Sequence, residues 1–484
     1  MWSGQASDSK AYRICGLVMN CFRLLLILVP VFAVLTPGTA AAGFDCTGKN
    51  ADQFTTICHD AEIMRLDRAV DASLTRAQRA VDPVTAMLLR RDQSWVMEIV
   101  GGAYAQFNGA DDPRRQGIIA LLQQRLAMLD HMASRADGIA GEWRNALGTA
   151  TVAARPNGVF HVDGRTKALY WDGDQPACAL AADIKLGDDG WLSGPAAVIS
   201  DGKESTAIAS DSPFTLRARL QANTLRVVIA HNNENFSCQP VESFTASYFP
   251  MVGASTAAVS NTPPPMTAPS FTCATAKNSD EQEICADPEL AEKDVAIAAA
   301  YNDALHRLDP KSAEYLRDDE RAWVAGNKDA YDSQIHAAWD KQSYFMHHTD
   351  NARHELYLRL KERLAMLKNL DEKREGEAGL WVGYNAMLAI APDKDKPGML
   401  QAAGHKWETG NWKSRCDFAA DGKMAGGHFK TNDEFPKLAL DAVTLTLGDE
   451  KTQPGYCERM KSPKARLFPV KAGADVGFND DRIR

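Results

Sequence analysis

The pentapeptide Arg125-Leu126-Ala127-Met128-Leu129 recurs unchanged as Arg363-Leu364-Ala365-Met366-Leu367, and the sequence around it repeats in the same order. Upstream, at one constant spacing, Phe44-Asp45-Cys46 matches Phe271-Thr272-Cys273 and Ile57-Cys58 matches Ile284-Cys285. The same spacing pairs Asp60, Glu62 and Asp67 with Asp287, Glu289 and Asp294, and Asp82-Pro83 and Asp92 with Asp309-Pro310 and Asp319. Trp95 then matches Trp323 after a one-residue shift. Downstream, Ala140-Gly141-x-Trp143 matches Ala378-Gly379-x-Trp381, and Cys178-x-x-Ala-Ala-Asp183 matches Cys416-x-x-Ala-Ala-Asp421. Cys238 with Phe249-Pro250 finally matches Cys457 with Phe468-Pro469. Order kept over this length marks a tandem duplication. Between the copies, residues 253–270 carry no charge and contain Pro263-Pro264-Pro265 and Pro269, which reads as an extended linker.

Each copy opens with a helical pattern. Ile63, Val70, Leu74 and Val81 fall at helical spacing, as do their counterparts Leu290, Ile297, Tyr301 and Leu308. Asp60, Asp82, Asp287 and Asp309 sit where N-caps belong, three of them followed directly by proline. Ile118, Leu122, Leu126 and Leu129, with Leu356, Leu360, Leu364 and Leu367, mark a further helix. The later part of each copy changes character, with short β-rich runs such as Leu225-Arg-Val-Val-Ile229 and Ala442-Val-Thr-Leu-Thr-Leu447. Residues 383–404 fit no pattern well.

The expected fold class is therefore α+β: a tandem duplication of a small, disulfide-pinned helical unit (an α-hairpin or three helices), each followed by a small antiparallel β module. The expected divisions are 43–136 and 137–252 for the first copy, 271–375 and 376–472 for the second, and a tail at 473–484.

Composition bounds the class without supplying chemistry. With 484 residues, 45% hydrophobic and 24% charged, the chain is ordinary for a globular protein and argues against global disorder. A net charge of −9 disfavours nucleic acid as a partner. At the N-terminus, Lys10, Arg13 and Arg23 precede the apolar run Leu24 to Leu35 and the small-residue stretch ending at Ala42. That layout predicts a signal peptide over 1–42 and a periplasmic or secreted protein, with no membrane span left after cleavage. Removing the leader changes the net charge to −11 and leaves eight cysteines. In an oxidising compartment an even set reads as disulfides. Four per copy allow three connectivities; the spacing favours Cys46–Cys58 with Cys178–Cys238, and Cys273–Cys285 with Cys416–Cys457.

The run Phe-x-Cys-x(11)-Cys-x-Asp-x-Glu, the tryptophan at Trp95 or Trp323 and the Arg-Leu-Ala-Met-Leu helix together resemble the LprI-type lysozyme-inhibitor N-terminal domain. The resemblance covers roughly 44–132 and 271–370. It implies small exported helical domains and an envelope or secreted binding protein that, in some members, inhibits lysozyme.

Catalytic motifs are missing. There is no HExxH, GxSxG, Walker A or GxGxxG, and Ser200-Asp-Gly-Lys203 reads as a turn. No enzyme activity and no cofactor are expected. His347, His348 and His354, with His336 and Glu355 nearby, form the weak metal candidate, against a plain polar helix connection. Acidity concentrates in 271–375, which nets −7, against −1 for 44–136, −4 for 137–252 and +1 for 376–484. An acidic module suits a basic partner, and many lysozymes are basic. The expected function is an exported envelope binding protein that occludes a lysozyme's sugar-binding cleft through the second helical half. The alternative is a non-inhibitory adaptor that holds a protein or peptidoglycan ligand bivalently.

Overall fold

The helix boundaries follow from aspartates. Asp60 accepts hydrogen bonds from the Glu62 and Ile63 amides, both at 3.0 Å, and starts α2 (Ala61–Ala80), which follows the single turn α1 (Thr55–Cys58). Asp82, Asp112, Asp287 and Asp309 repeat the device ahead of Pro83, Pro113, Pro288 and Pro310. A proline there loses no hydrogen bond, because the first helical amide has no partner within the helix. These starts define α3 (Pro83–Ala103), α4 (Pro113–Asp130), α6 (Pro288–Arg307) and α7 (Pro310–His336). In the second copy α5 (Ser279–Ala286) stands where α1 does in the first, and α8 (His348–Lys368) ends the helices.

The computed structural model describes residues 43–44, 46–47, 54–103, 107–134, 136, 138–166, 179–199, 214–231, 244–252, 267–336, 348–408, 411–431, 437–441, 443–448 and 465–476. The expected signal peptide, most of the linker and the end of the tail lie outside these residues. So do Cys178, Cys238, Cys457, His347 and Ser200-Asp-Gly-Lys203. Among the described residues, no helix is long and apolar enough to cross a membrane.

The expected fold class is overturned in its β half. Instead of small modules, each copy carries a closed, eight-stranded antiparallel barrel. The first runs β1 (Gly141–Arg144), β2 (Gly148–Ala154), β3 (Val159–Thr166), β4 (Ala179–Leu186), β5 (Leu192–Ile199), β6 (Phe214–Gln221), β7 (Thr224–His231) and β8 (Ala246–Pro250). The second runs β9 (Gly379–Val382), β10 (Ala386–Pro392), β11 (Leu400–Glu408), β12 (Asn411–Ala425), β13 (His428–Lys430), β14 (Leu438–Asp441), β15 (Thr444–Leu447) and β16 (Ala465–Val470). Neighbours in sequence pair with each other, and the last strand returns to the first. Trp143 opposes Pro250 in one closure and Trp381 opposes Pro469 in the other, so the matched Gly-x-Trp and Phe-Pro pairs are the seams. Each indole N–H donates to a carbonyl four residues back, Ile139 or Glu377, at 2.8 Å.

Why the barrels were hard to read is a matter of volume. Eight strands leave an interior just wide enough for side chains, so small residues must alternate with large ones. Phe160, Val162, Leu180, Ala182, Ile184, Ala218, Phe244 and Tyr248 fill the first barrel. A Cβ on Gly164 would sit 2.8 Å from the Phe244 ring, and one on Gly422 would sit 2.6 Å from the Phe429 ring. A strand such as Ala179-Leu-Ala-Ala-Asp-Ile-Lys-Leu186 therefore lacks the β-branched density that marks a strand. The unassigned stretch 383–404 holds β10 and the start of β11.

One repeated device fixes helices to barrel. Arg125, at 2% exposure, places Nη1 2.5 Å from Asp92 and Nε 2.9 Å from Gln93. Asp92 also accepts from the Ala146 amide of the β1–β2 turn at 2.9 Å. In the second copy Arg363 reaches Asp319 at 2.6 Å and Glu320 at 2.9 Å, and Asp319 accepts from the Tyr384 amide at 2.9 Å. Met128 and Met366 complete the setting, their sulfurs 3.2 and 3.1 Å from the guanidinium. The Arg of the repeated pentapeptide thus holds the aspartate that bonds the barrel, and the Met packs against that Arg.

Candidate functional site

The densest buried charge lies where the copies meet. The disulfide Cys273–Cys285 belongs to the second copy, yet both sulfur-bearing residues pack into the apolar core of the first, against α3. This contact carries Glu283 and Asp287, 3% and 0% exposed, into a region walled by first-copy residues. Buried carboxylates persist there only if paired. Arg91 of α3 reaches Glu283 at 2.5 Å and donates to the Tyr331 hydroxyl at 3.1 Å. Arg226 of β7 bonds Glu283 and lies 3.3 Å from Asp287. Arg353 of α8 holds Asp287 at 3.1 Å and Glu289 at 2.7 Å. Arg217 of β6, stacked on Trp191, adds a contact to Glu289 at 3.2 Å.

Burial alone would raise both acids, but the guanidinium groups outweigh it. Glu283 is held below the usual carboxylate range by Arg226 and Arg91, and Asp287 is lowered to about 2 by Arg353 and Arg226. The network joins the two copies into one body and supplies no free acid or base. It is a joint, built of charge.

The first copy shows the same triad without its cover. Asp60 takes Arg115 at 2.6 Å and Glu62 takes it at 3.0 Å, as Asp287 and Glu289 take Arg353. Here the pair is 13% and 13% exposed, and Glu62 is 45% exposed, whereas β6 and β7 of the first barrel cover the second-copy triad.

The cap residues Asp60, Asp82, Asp287 and Asp309 each accept at least two backbone amides at the start of a helix. Cys46–Cys58 and Cys273–Cys285 are disulfides, each with Cα atoms 5.8 Å apart. Cys416 is also disulfide-bonded, to a residue outside those described. Among the described residues, no group of three or more His, Cys, Asp or Glu is placed to hold a metal. His347 and the side chains of His336, His348 and His354 lie outside the described residues. The motif search missed Arg91, Arg217, Arg226, Glu283 and Arg353. The charge bias of 271–375 was their one visible trace, and it pointed outward. The structure turns Glu283, Asp287, Glu289, Asp319 and Glu320 towards arginines instead.

Asp67 and Asp294 clamp the arms that precede their helices. Asp294 accepts from the Ser270 amide at 2.6 Å, and Asp67 is bonded by the Phe44 amide. Burial raises Asp67 to about 6, with Asp71 adding to it. A carboxyl raised on folding binds its proton more tightly in the native state. Stability from this group therefore falls as pH rises from about 4 to about 6. Asp67→Asn removes that dependence. The variant should gain relative to wild type between pH 4.5 and pH 7 in urea denaturation; an unchanged difference at the two pH values would refute the assignment.

The chain matches no protein-family profile, no curated protein and no solved structure.

Proposed function

We propose that this chain is an exported binding protein of the cell envelope that blocks a basic, lysozyme-like muramidase by covering its sugar-binding cleft. The observation that carries a binding role is how the interior is used. Both barrels are packed with side chains, and the buried arginine–carboxylate groups hold helices to barrels and one copy to the other. What the molecule offers a partner is then its surface. Exposed acids support a basic partner: Asp163 and Asp183 flank His161 on the first barrel at 64% and 54% exposure, and Asp303, Glu314 and Asp318 line the outside of α6 and α7. Occlusion of this kind needs an interface of about 1,600 Å² and no chemistry.

The test is a cell-wall lysis assay with several basic lysozymes and the full chain after its leader, because the two copies share a core. Inhibition at micromolar concentration, weakening as salt rises, is expected. Its absence across all the lysozymes would end the proposal. Retention on immobilised peptidoglycan or envelope proteins without inhibition would instead favour the adaptor reading.

A further inference from the structure

The helical unit of the second copy encloses a cavity of about 50 Å³ among α5, α6, α7 and α8. Asp280, Asp294, Tyr301, Glu320, Trp323 and Asn327 form its polar and aromatic wall with Ser270, and the remainder is aliphatic. Volume on this scale holds a few waters or a small head group. Asn327 is only 3% exposed, and its Oδ1 has no hydrogen-bond partner among the described residues. A buried carbonyl oxygen left in that state costs free energy unless a donor arrives. Glu320 is held by Arg363, whereas Asp294 accepts from the backbone and side chain of Ser270 and is pushed up by burial.

The duplication supplies an internal comparison. The equivalent positions of the first copy are Gln53, Asp67, Leu74, Gln93, Trp95 and Ile99. One acid there becomes three here, and Leu74 and Ile99 become Tyr301 and Asn327. Core packing explains the first set, since hydrophobic residues and neutral amides suffice to build the bundle. The second set is over-polar for that task. Its acids surround the space without converging on a point, and no metal-holding group forms among the described residues. Acceptors spread around an aromatic-walled space suit a group with three donors and one positive charge.

We propose that this cavity binds a primary ammonium group on a short alkyl chain, from either a free amine or a lysine side chain presented by a partner. Titration calorimetry on the full chain tests it with n-butylammonium, Nα-acetyl-lysine methylamide and, as the uncharged control, n-butanol. Butylammonium should bind with one-to-one stoichiometry and n-butanol should not compete with it. Binding of the lysine amide as tightly as butylammonium assigns a lysine source, and binding of butylammonium alone assigns a free amine.

The variant Asp280→Gln/Tyr301→Leu/Glu320→Gln/Asn327→Ile installs the residues that the first copy carries. Gln93 already accepts from Arg125 in that setting, so Arg363 keeps a partner. This variant should weaken butylammonium by at least about tenfold. Asn327→Asp, a milder change that adds an acid, should tighten it. No binding of either amine up to about 10 mM, equal affinity for n-butanol, or unchanged affinity in both variants would overturn the proposal.

Discussion

Arg226→Leu is expected to destabilise the protein by about 3–5 kcal/mol, the usual cost of removing one member of a buried ion pair. Arg226 is 2% exposed and bonds both Glu283 and Asp287, so its loss weakens two buried carboxylates at once. Arg91 and Arg353 remain, which keeps the loss within that range. The pH dependence should reverse in sign. In the wild type, Asp287 is lowered to about 2, so its contribution is complete above about pH 4 and is lost as pH falls towards 2. Without Arg226 both acids rise, and the penalty shrinks as pH drops from 7 to 4.5 because protonation relieves it. Urea denaturation at the two pH values measures this. Calorimetry adds a second readout, since the wild type should melt in one transition and the variant in two. Glu283→Gln added to Arg226→Leu should recover part of the loss. A single-variant loss under about 1 kcal/mol would show that the joint is not what holds the copies together.

The second large effect concerns the barrels. Arg363→Met should cost about 3–5 kcal/mol, and more than Arg125→Met, although the two arginines occupy matched positions. Arg363 is 1% exposed and leaves two acids behind, Asp319 at 0% and Glu320 at 17%. Arg125 leaves one acid, Asp92 at 10%, beside the neutral Gln93. Burial already raises Asp319 despite Arg363, so removing the arginine should raise it further and make the variant more stable as pH falls. Paired denaturation curves at pH 5 and pH 7 settle the ranking; equal losses in the two copies would refute it.

What the sequence made legible was whatever the copies share. The repeated pentapeptide, the aspartate–proline starts and the paired cysteines all survive comparison of one copy with the other. The barrels survived it poorly, because a narrow interior demands Ala and Gly where strand propensity wants Val and Ile. Of the joint, only the triad of Asp287, Glu289 and Arg353 survived it, as Asp60, Glu62 and Arg115. Arg91 aligns with Asp318, Arg226 with Thr446 and Glu283 with Thr56, so the partners that turn the shared triad into a joint stand where the copies differ. A search for likeness discards such positions by design. The cavity at Asn327 was hidden for the same reason, since its counterpart is Ile99.

That asymmetry has a consequence for how many units such a chain can string together. The contact between the copies is head to tail, and a contact of that kind repeats without limit unless something ends it. At the far end of the second copy, Arg91 has become the exposed Asp318, already engaged by Arg321. Opposite the β16 arginine Arg466, the place held by Arg226 in the first barrel is taken by Thr446. At the near end, Thr56 replaces the glutamate that an incoming neighbour would grip, and Arg115 satisfies Asp60 and Glu62 from within. On both outer faces the residues that would form the joint are substituted. The contact that joins the copies is therefore written into one face of each and is not reproduced on the outer faces of the pair.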